Sequence, residues 1–250
     1  MKKIKDISYG EGNIPRQALD LYLPDGEGFP TLIYFHGGGL EGGSKDEIEW
    51  IGSFTESGIA VAAPNYRLYP HTRYPEFISD AAMASSWVCK NISRYSGGEK
   101  CFVGGSSAGA YLALMLCMDT KYLGPYSLSP DSFSGYIFNS GQPTVHFNIL
   151  NEAGIDSRSV VIDERAPIYH ISAERKYPPM LVICGENDIA NRLEQTQLLV
   201  STLRCFGHTK VELKLMDAAY GHCGHDDKPI FKDIVTNFIR ETVDCETAGK

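Results

Sequence analysis

The sequence predicts an α/β fold: a mostly parallel sheet of about eight strands with helices on both faces. Three observations lead there. Short apolar runs recur along the chain, each ends in a turn rich in Gly or Pro, and an amphipathic helical stretch usually follows. No repeat at a period of about 20–50 residues and no low-complexity tract points to another architecture.

Taken in order, residues 4–9 and 17–23 read as an opening pair of strands, the second alternating from Gln17 to Leu23. The runs 31–36, 59–63, 101–105, 135–139, 180–184 and 211–216 read as buried strands. Helical patterns lie near 46–57, 77–95, 108–119, 191–206 and 227–242. These elements make one domain over residues 1–250. Residues 142–178 interrupt the alternation with weak periodicity. A connection that long in a compact domain is usually functional or disordered; here it reads as a cap-like excursion over the ligand-binding edge, with some helix of its own. In such a sheet that edge is formed by the carboxyl ends of the strands.

With 43% hydrophobic and 22% charged residues, the chain can build a core without disulfides or metal. A net charge of −8 and scattered lysines and arginines argue against a nucleic-acid partner. No apolar run reaches the roughly 20 residues of a membrane span, and none follows the N-terminus as a secretory signal would. The seven cysteines are scattered and lack C-x-x-C, as free thiols would be. Together these features predict a cytoplasmic protein. Nothing in the chain fixes its oligomeric state.

Chemistry concentrates in three places. Gly105-Ser106-Ser107-Ala108-Gly109 follows the run 101–104 and precedes a helical stretch. A turn that tight forces strain on its central residue and needs small neighbours, hence glycine two residues before and after Ser107. The turn lifts the hydroxyl above the sheet at a helix N-terminus, where negative charge is favoured. Ser106 is the alternative register, but it does not have glycine on both sides. His36-Gly37-Gly38-Gly39 follows the run 31–35. Its glycines allow backbone N–H groups to turn inward and, with the N–H of Ala108, form an oxyanion hole. A flexible loop or a phosphate cradle is the other reading, although the G-x-x-x-x-G-K-[ST] pattern is absent. His36 reads as holding that loop.

A serine nucleophile needs a base and a carboxylate to orient it. Asp188 follows the run 180–184 and His222 follows the run 211–216, both just beyond strand ends. Glu186 and Asp217 are rival acids, and His225 is a rival base. The cluster His222-Cys223-Gly224-His225-Asp226-Asp227 lacks zinc-site spacing. It reads as a catalytic loop with Asp226 or Asp227 capping the last helix. No metal or cofactor is expected. Cys223 reads as packing, or as a modifiable thiol beside the base, and the histidines at 71, 146, 170 and 208 as ordinary residues.

These motifs together resemble the hormone-sensitive-lipase-like branch of α/β-hydrolases, in particular short bacterial acetyl-esterase-like members. The likeness extends over nearly the whole chain, including Leu19-Asp-Leu-Tyr-Leu-Pro24, Asn65-Tyr-Arg-Leu68 and Tyr74-Pro-Glu-Phe77 leading to Asp80. It implies the α/β-hydrolase fold, with Ser107, Asp188 and His222 as a catalytic triad and Gly38, Gly39 and Ala108 as oxyanion donors. It further implies hydrolysis of a small-molecule ester, with acetylated carbohydrates as one substrate class. Amide hydrolysis, as in an amidase, formamidase or peptidase, uses the same groups, and a non-catalytic receptor is the third reading. Two features depart from the branch. Many members read G-D-S-A-G-G where this chain has Ser106 and Ala110, and many carry a helical N-terminal cap where about 30 residues precede His36 here. The acyl pocket is therefore expected from residues 142–178, and a lipid-surface substrate is disfavoured.

Overall fold

A computed structural model describes residues 1–12 and 14–248. Its sheet has eight strands: β1 (Lys2–Ser8), β2 (Ala18–Leu23), β3 (Phe29–Phe35), β4 (Ala60–Pro64), β5 (Gly97–Ser106), β6 (Gly135–Asn139), β7 (Met180–Gly185) and β8 (Val211–Met216). They lie in the order β1-β2-β4-β3-β5-β6-β7-β8. β1 and β2 run antiparallel to their neighbours, and every pair from β4 onward is parallel. The expected architecture stands, and the predicted strands are present with bounds within two residues, except that β5 begins four residues earlier than the predicted run 101–105.

Alternation along the strands builds two cores. Ile33, Phe35, Val103 and Phe138 face helices α1 (Glu76–Asn91), α2 (Ala108–Met118) and α4 (Arg192–Cys205). Leu32, Tyr34, Phe102 and Ile137 face the opposite way, toward α5 (Pro229–Ala248) and the segment Lys45–Ser57. Every residue of α2 is buried, so this helix is apolar all round. Its approach to the sheet requires glycine: a Cβ at Gly109 would stand 2.1 Å from the Phe35 carbonyl oxygen.

Two helical expectations need correction. Residues 45–57 form 3₁₀ turns broken at Ile48 (φ −113°, ψ 28°) in place of an α-helix. The pattern at 77–95 divides, because α1 stops at Asn91 and a 3₁₀ turn, Ile92–Tyr95, closes on left-handed Ser96. The stretch 142–178 contains α3 (Phe147–Glu152) and the turn Pro167–His170, and the Val145 N–H donates to the Val161 carbonyl at 3.0 Å.

The register sets the site. Phe35 pairs with Gly105, Ser106 with Asn139, Asn139 with Ile183 and Gly185 with Met216. The loops after β3, β5, β7 and β8 therefore leave the sheet along one edge.

Candidate active site

Ser107 joins β5 directly to α2, with φ 54° and ψ −114°. A non-glycine residue there is strained, and the structure around it is tight. Its N–H donates to the Asn139 carbonyl at 2.8 Å, and its carbonyl accepts from Tyr111 at 3.0 Å. The side chain stays partly exposed.

His222 and Asp188 meet at this serine. His222 Nε2 lies 2.9 Å from Ser107 Oγ, and His222 Nδ1 lies 2.5 Å from Asp188 Oδ1. With Nδ1–H donating to the carboxylate, Nε2 is free to accept the serine proton. The Asp188 side chain is fully buried, whereas His222 keeps 27% exposure. Burial pushes the Asp188 carboxyl up, but the hydrogen bond and charge attraction of His222 outweigh it. Together with Ser140 and the Ile189 N–H, they hold the group below the ordinary value.

The rival residues go elsewhere. Glu186 is exposed, and Asp217 caps the turn Ala218–Tyr220 by accepting from the Ala219 N–H at 2.8 Å. His225 is sealed away from solvent, with Nε2 2.7 Å from Asn139 Oδ1. Asp226 does not cap α5, because its carboxylate accepts from Ser106 Oγ and Asn139 Nδ2, each at 2.5 Å. Asp227 pairs with Lys228 at 2.7 Å. The acidic and histidine side chains of residues 222–227 thus point to different partners, and no group among the described residues is arranged to hold a metal. Cys223 Sγ lies 3.9 Å from His222 Nε2, and burial pushes its thiol up, away from the reactive thiolate.

The loop after β3 faces the same serine. Gly38 (φ 103°) and Gly39 (φ 66°) both occupy left-handed backbone, and a Cβ at Gly37 would lie 3.3 Å from Ser107 Cβ. The Gly38 carbonyl is taken up by the N–H groups of Glu41 (3.1 Å) and Gly42 (2.8 Å). Ala108 is the first residue of α2, so its N–H has no partner within the helix. Gly37 thus borders Ser107 directly, and Gly38 and Gly39 continue the loop from it.

His36 is a strut. It is buried and stacks on Tyr66 at 4.3 Å. Its Nδ1–H donates to the Gly37 carbonyl at 2.7 Å, while Nε2 accepts from Arg16 at 3.3 Å. Burial lowers its pKa to about 4 and keeps the ring neutral. Tyr66 also donates to the His36 carbonyl at 2.9 Å. The neighbouring Arg67 forks onto Asp80, with Nε and Nη2 each at 2.8 Å.

Sequence reasoning did not find three polar supports. Asn148, on α3, donates to the Gly39 carbonyl. Arg192 is buried and reaches the Ser140 carbonyl at 2.6 Å. Asn139 joins the ends of β5 and β6 to the loop after His222. Only the departure at Ser106 signalled any of this.

The BD-FAE family model matches residues 19–133. A carbohydrate esterase from gut microbiota, solved in truncated form, superposes with a TM-score of 0.79 at 16% identity, covering 97% of this chain and 96% of that one. The chain has the α/β-hydrolase fold. The chain is 27% identical to the isoprenylcysteine alpha-carbonyl methylesterase ICME of Arabidopsis thaliana, over 93% of the chain and 61% of that protein. It is 33% identical to the kynurenine formamidase of Danio rerio over 51% of the chain and 42% of that protein. The chain therefore spans about three-fifths of the length of the methylesterase it matches.

Proposed function

We propose that the protein is a serine carboxylesterase acting on short-chain, acetyl-type esters of small alcohols or carbohydrates through an acyl-enzyme. One observation carries the reading: His222 Nε2 lies 2.9 Å from Ser107 Oγ while its Nδ1 lies 2.5 Å from the buried Asp188. Ser107 Oγ attacks the ester carbonyl as His222 takes the serine proton. Asp188 holds the imidazole and stabilises the imidazolium. The oxyanion is received by the N–H groups of Gly38, Gly39 and Ala108, and its collapse expels the alcohol, which takes the proton from His222. Water, deprotonated by the same histidine, then releases the acid.

Residues 142–178 form one wall of the acyl site in this reading. Phe147 Cζ lies 3.6 Å from where a Gly39 side chain would begin, which favours a small acyl group. The seven unpaired cysteines fit a reducing compartment such as the cytoplasm. Among the described residues no helix is long and apolar enough to cross a membrane.

Ser107→Ala should abolish turnover of p-nitrophenyl acetate and labelling by a fluorophosphonate while the far-UV spectrum is unchanged. Normal turnover by that variant would refute the assignment. The identity shared with a formamidase supports a second reading, hydrolysis of an amide by the same groups. Matched ester and anilide substrates separate the two, and a higher kcat/KM on the anilide would displace the esterase reading.

A further inference from the structure

We propose that Asp226 is a positioning residue for the chemistry at Ser107: its carboxylate fastens the His222 loop to Ser106, the residue immediately before the nucleophile. This rests on the reading of Ser107 as nucleophile and His222 as base.

Ser106 ends β5, and its side chain turns to the face opposite Ser107, only 4% exposed. Its Oγ donates to Asp226 Oδ2 at 2.5 Å, accepts from Asn139 Nδ2 at 3.0 Å and lies 2.7 Å from the Tyr34 hydroxyl. The other Asp226 oxygen accepts from Asn139 Nδ2 at 2.5 Å, and Asn139 Oδ1 accepts from His225 Nε2 at 2.7 Å. Side chains at the ends of β5 and β6 thus reach two consecutive residues of one loop, and Tyr34 of β3 closes on Ser106.

That loop carries the base. Asp226 follows His222 by four positions, and no strand holds the segment between β8 and α5. Its own backbone bonds are local, from Asp226 N–H to the Cys223 carbonyl (3.1 Å) and from Lys228 N–H to the His225 carbonyl (3.0 Å). Side chains therefore supply its attachment to the sheet at this end. The Ser106–Asp226 bond ties the backbone that positions Ser107 to the backbone that positions His222.

The environment gives the carboxylate an electrostatic part as well. The groups facing it are Tyr34 from β3, Ser106 from β5, Asn139 from β6 and, from its own loop, His222, Cys223, His225 and Asp227. None is a permanent cation. Burial raises the Asp226 carboxyl to about 6 against the pull of the Ser106 and Asn139 donors. When ionised, it adds negative charge beside the imidazolium that forms as Ser107 attacks.

Exchanging the pair tests the inference, because it keeps one hydroxyl and one carboxylate in contact. In the Asp226→Ser variant, kcat on p-nitrophenyl acetate should fall about tenfold with KM within about twofold, and fluorophosphonate labelling should slow in parallel. Ser106→Asp alone should be slower still, because two carboxylates then share one site. The double exchange should return kcat to within about threefold of wild type. Should Asp226→Ser fail to fold, Ser106→Ala, which removes one donor from the network, should lower kcat about threefold at unchanged KM. Asp227→Asn, exposed beside the site, should match wild type. A lower melting temperature with unchanged kcat and labelling in Asp226→Ser would make Asp226 merely structural and overturn the proposal. So would a double exchange no faster than the product of the single effects. Wild-type protein that is not labelled at Ser107 would instead remove the nucleophile reading and this inference with it.

Discussion

Ser107 stands at the open edge of the sheet within 2.9 Å of a histidine, whereas Ser106, one residue earlier, is sealed among Tyr34, Asn139 and Asp226. Strand alternation sends neighbouring side chains to opposite faces, so the residue before the nucleophile must enter the other core. On the open side, the Ser107 hydroxyl meets one imidazole nitrogen and its side chain stays partly exposed. On the sealed side, nearly every polar atom is matched, with the Nδ1 of His225 an exception. The exposed pair thus rests on neighbours whose polar atoms are nearly all matched.

The contrast can be broken from the open side first. Asp188→Asn should lower kcat by about 10⁴ by disturbing the His222 tautomer, as measured by single-turnover kinetics with p-nitrophenyl acetate. A loss under about tenfold would deny Asp188 its role. Gly38→Ala comes next. Its Cβ would stand 2.3 Å from the Gly42 carbonyl oxygen at φ 103°, so the loop must shift. Losing oxyanion donors in this way should cost about 10²–10³ in kcat, and an unaffected kcat would place the oxyanion elsewhere.

The sealed histidines should appear in stability as a function of pH. Burial lowers the pKa of His36, His146 and His225 to about 4, 3 and 4. Unfolded histidines bind protons near the ordinary 6.5, so below that pH the unfolded chain takes up more protons and stability falls down to about 4. Asp226 opposes this. Raised to about 6, it binds its proton first in the folded state and gains stability as pH falls from 6 to the ordinary 3.8. Three groups outweigh one, so the urea midpoint should drop between pH 6.5 and pH 4.5, and a flat profile would contradict the assignment of neutral buried rings. Asp226→Asn should steepen that drop. The smallest effect belongs to the rival acids: Glu186→Gln and Asp217→Asn should each leave kcat/KM within about twofold of wild type.

The sequence by itself determined the strand-turn-helix at Ser107 and the glycine loop at 37–39. Both follow from local sterics: a Cβ at Gly109 would meet the Phe35 carbonyl, and left-handed φ at Gly38 and Gly39 calls for glycine. Strand periodicity gave the sheet and the loops at its edge for the same reason, since period-two burial is a property of short segments. The tertiary structure decided the rest. Which histidine meets Ser107 depends on contacts spanning 115 residues, and the Asp226–Ser106 bond spans 120. The loop after β8 holds His222, His225 and Asp226 within five residues, and nothing local says which faces the open edge. Asn148 reaches Gly39 across 109 residues from a short helix of weak pattern. Such pairings depend on where separate strands end relative to one another, a register that only the packed sheet sets.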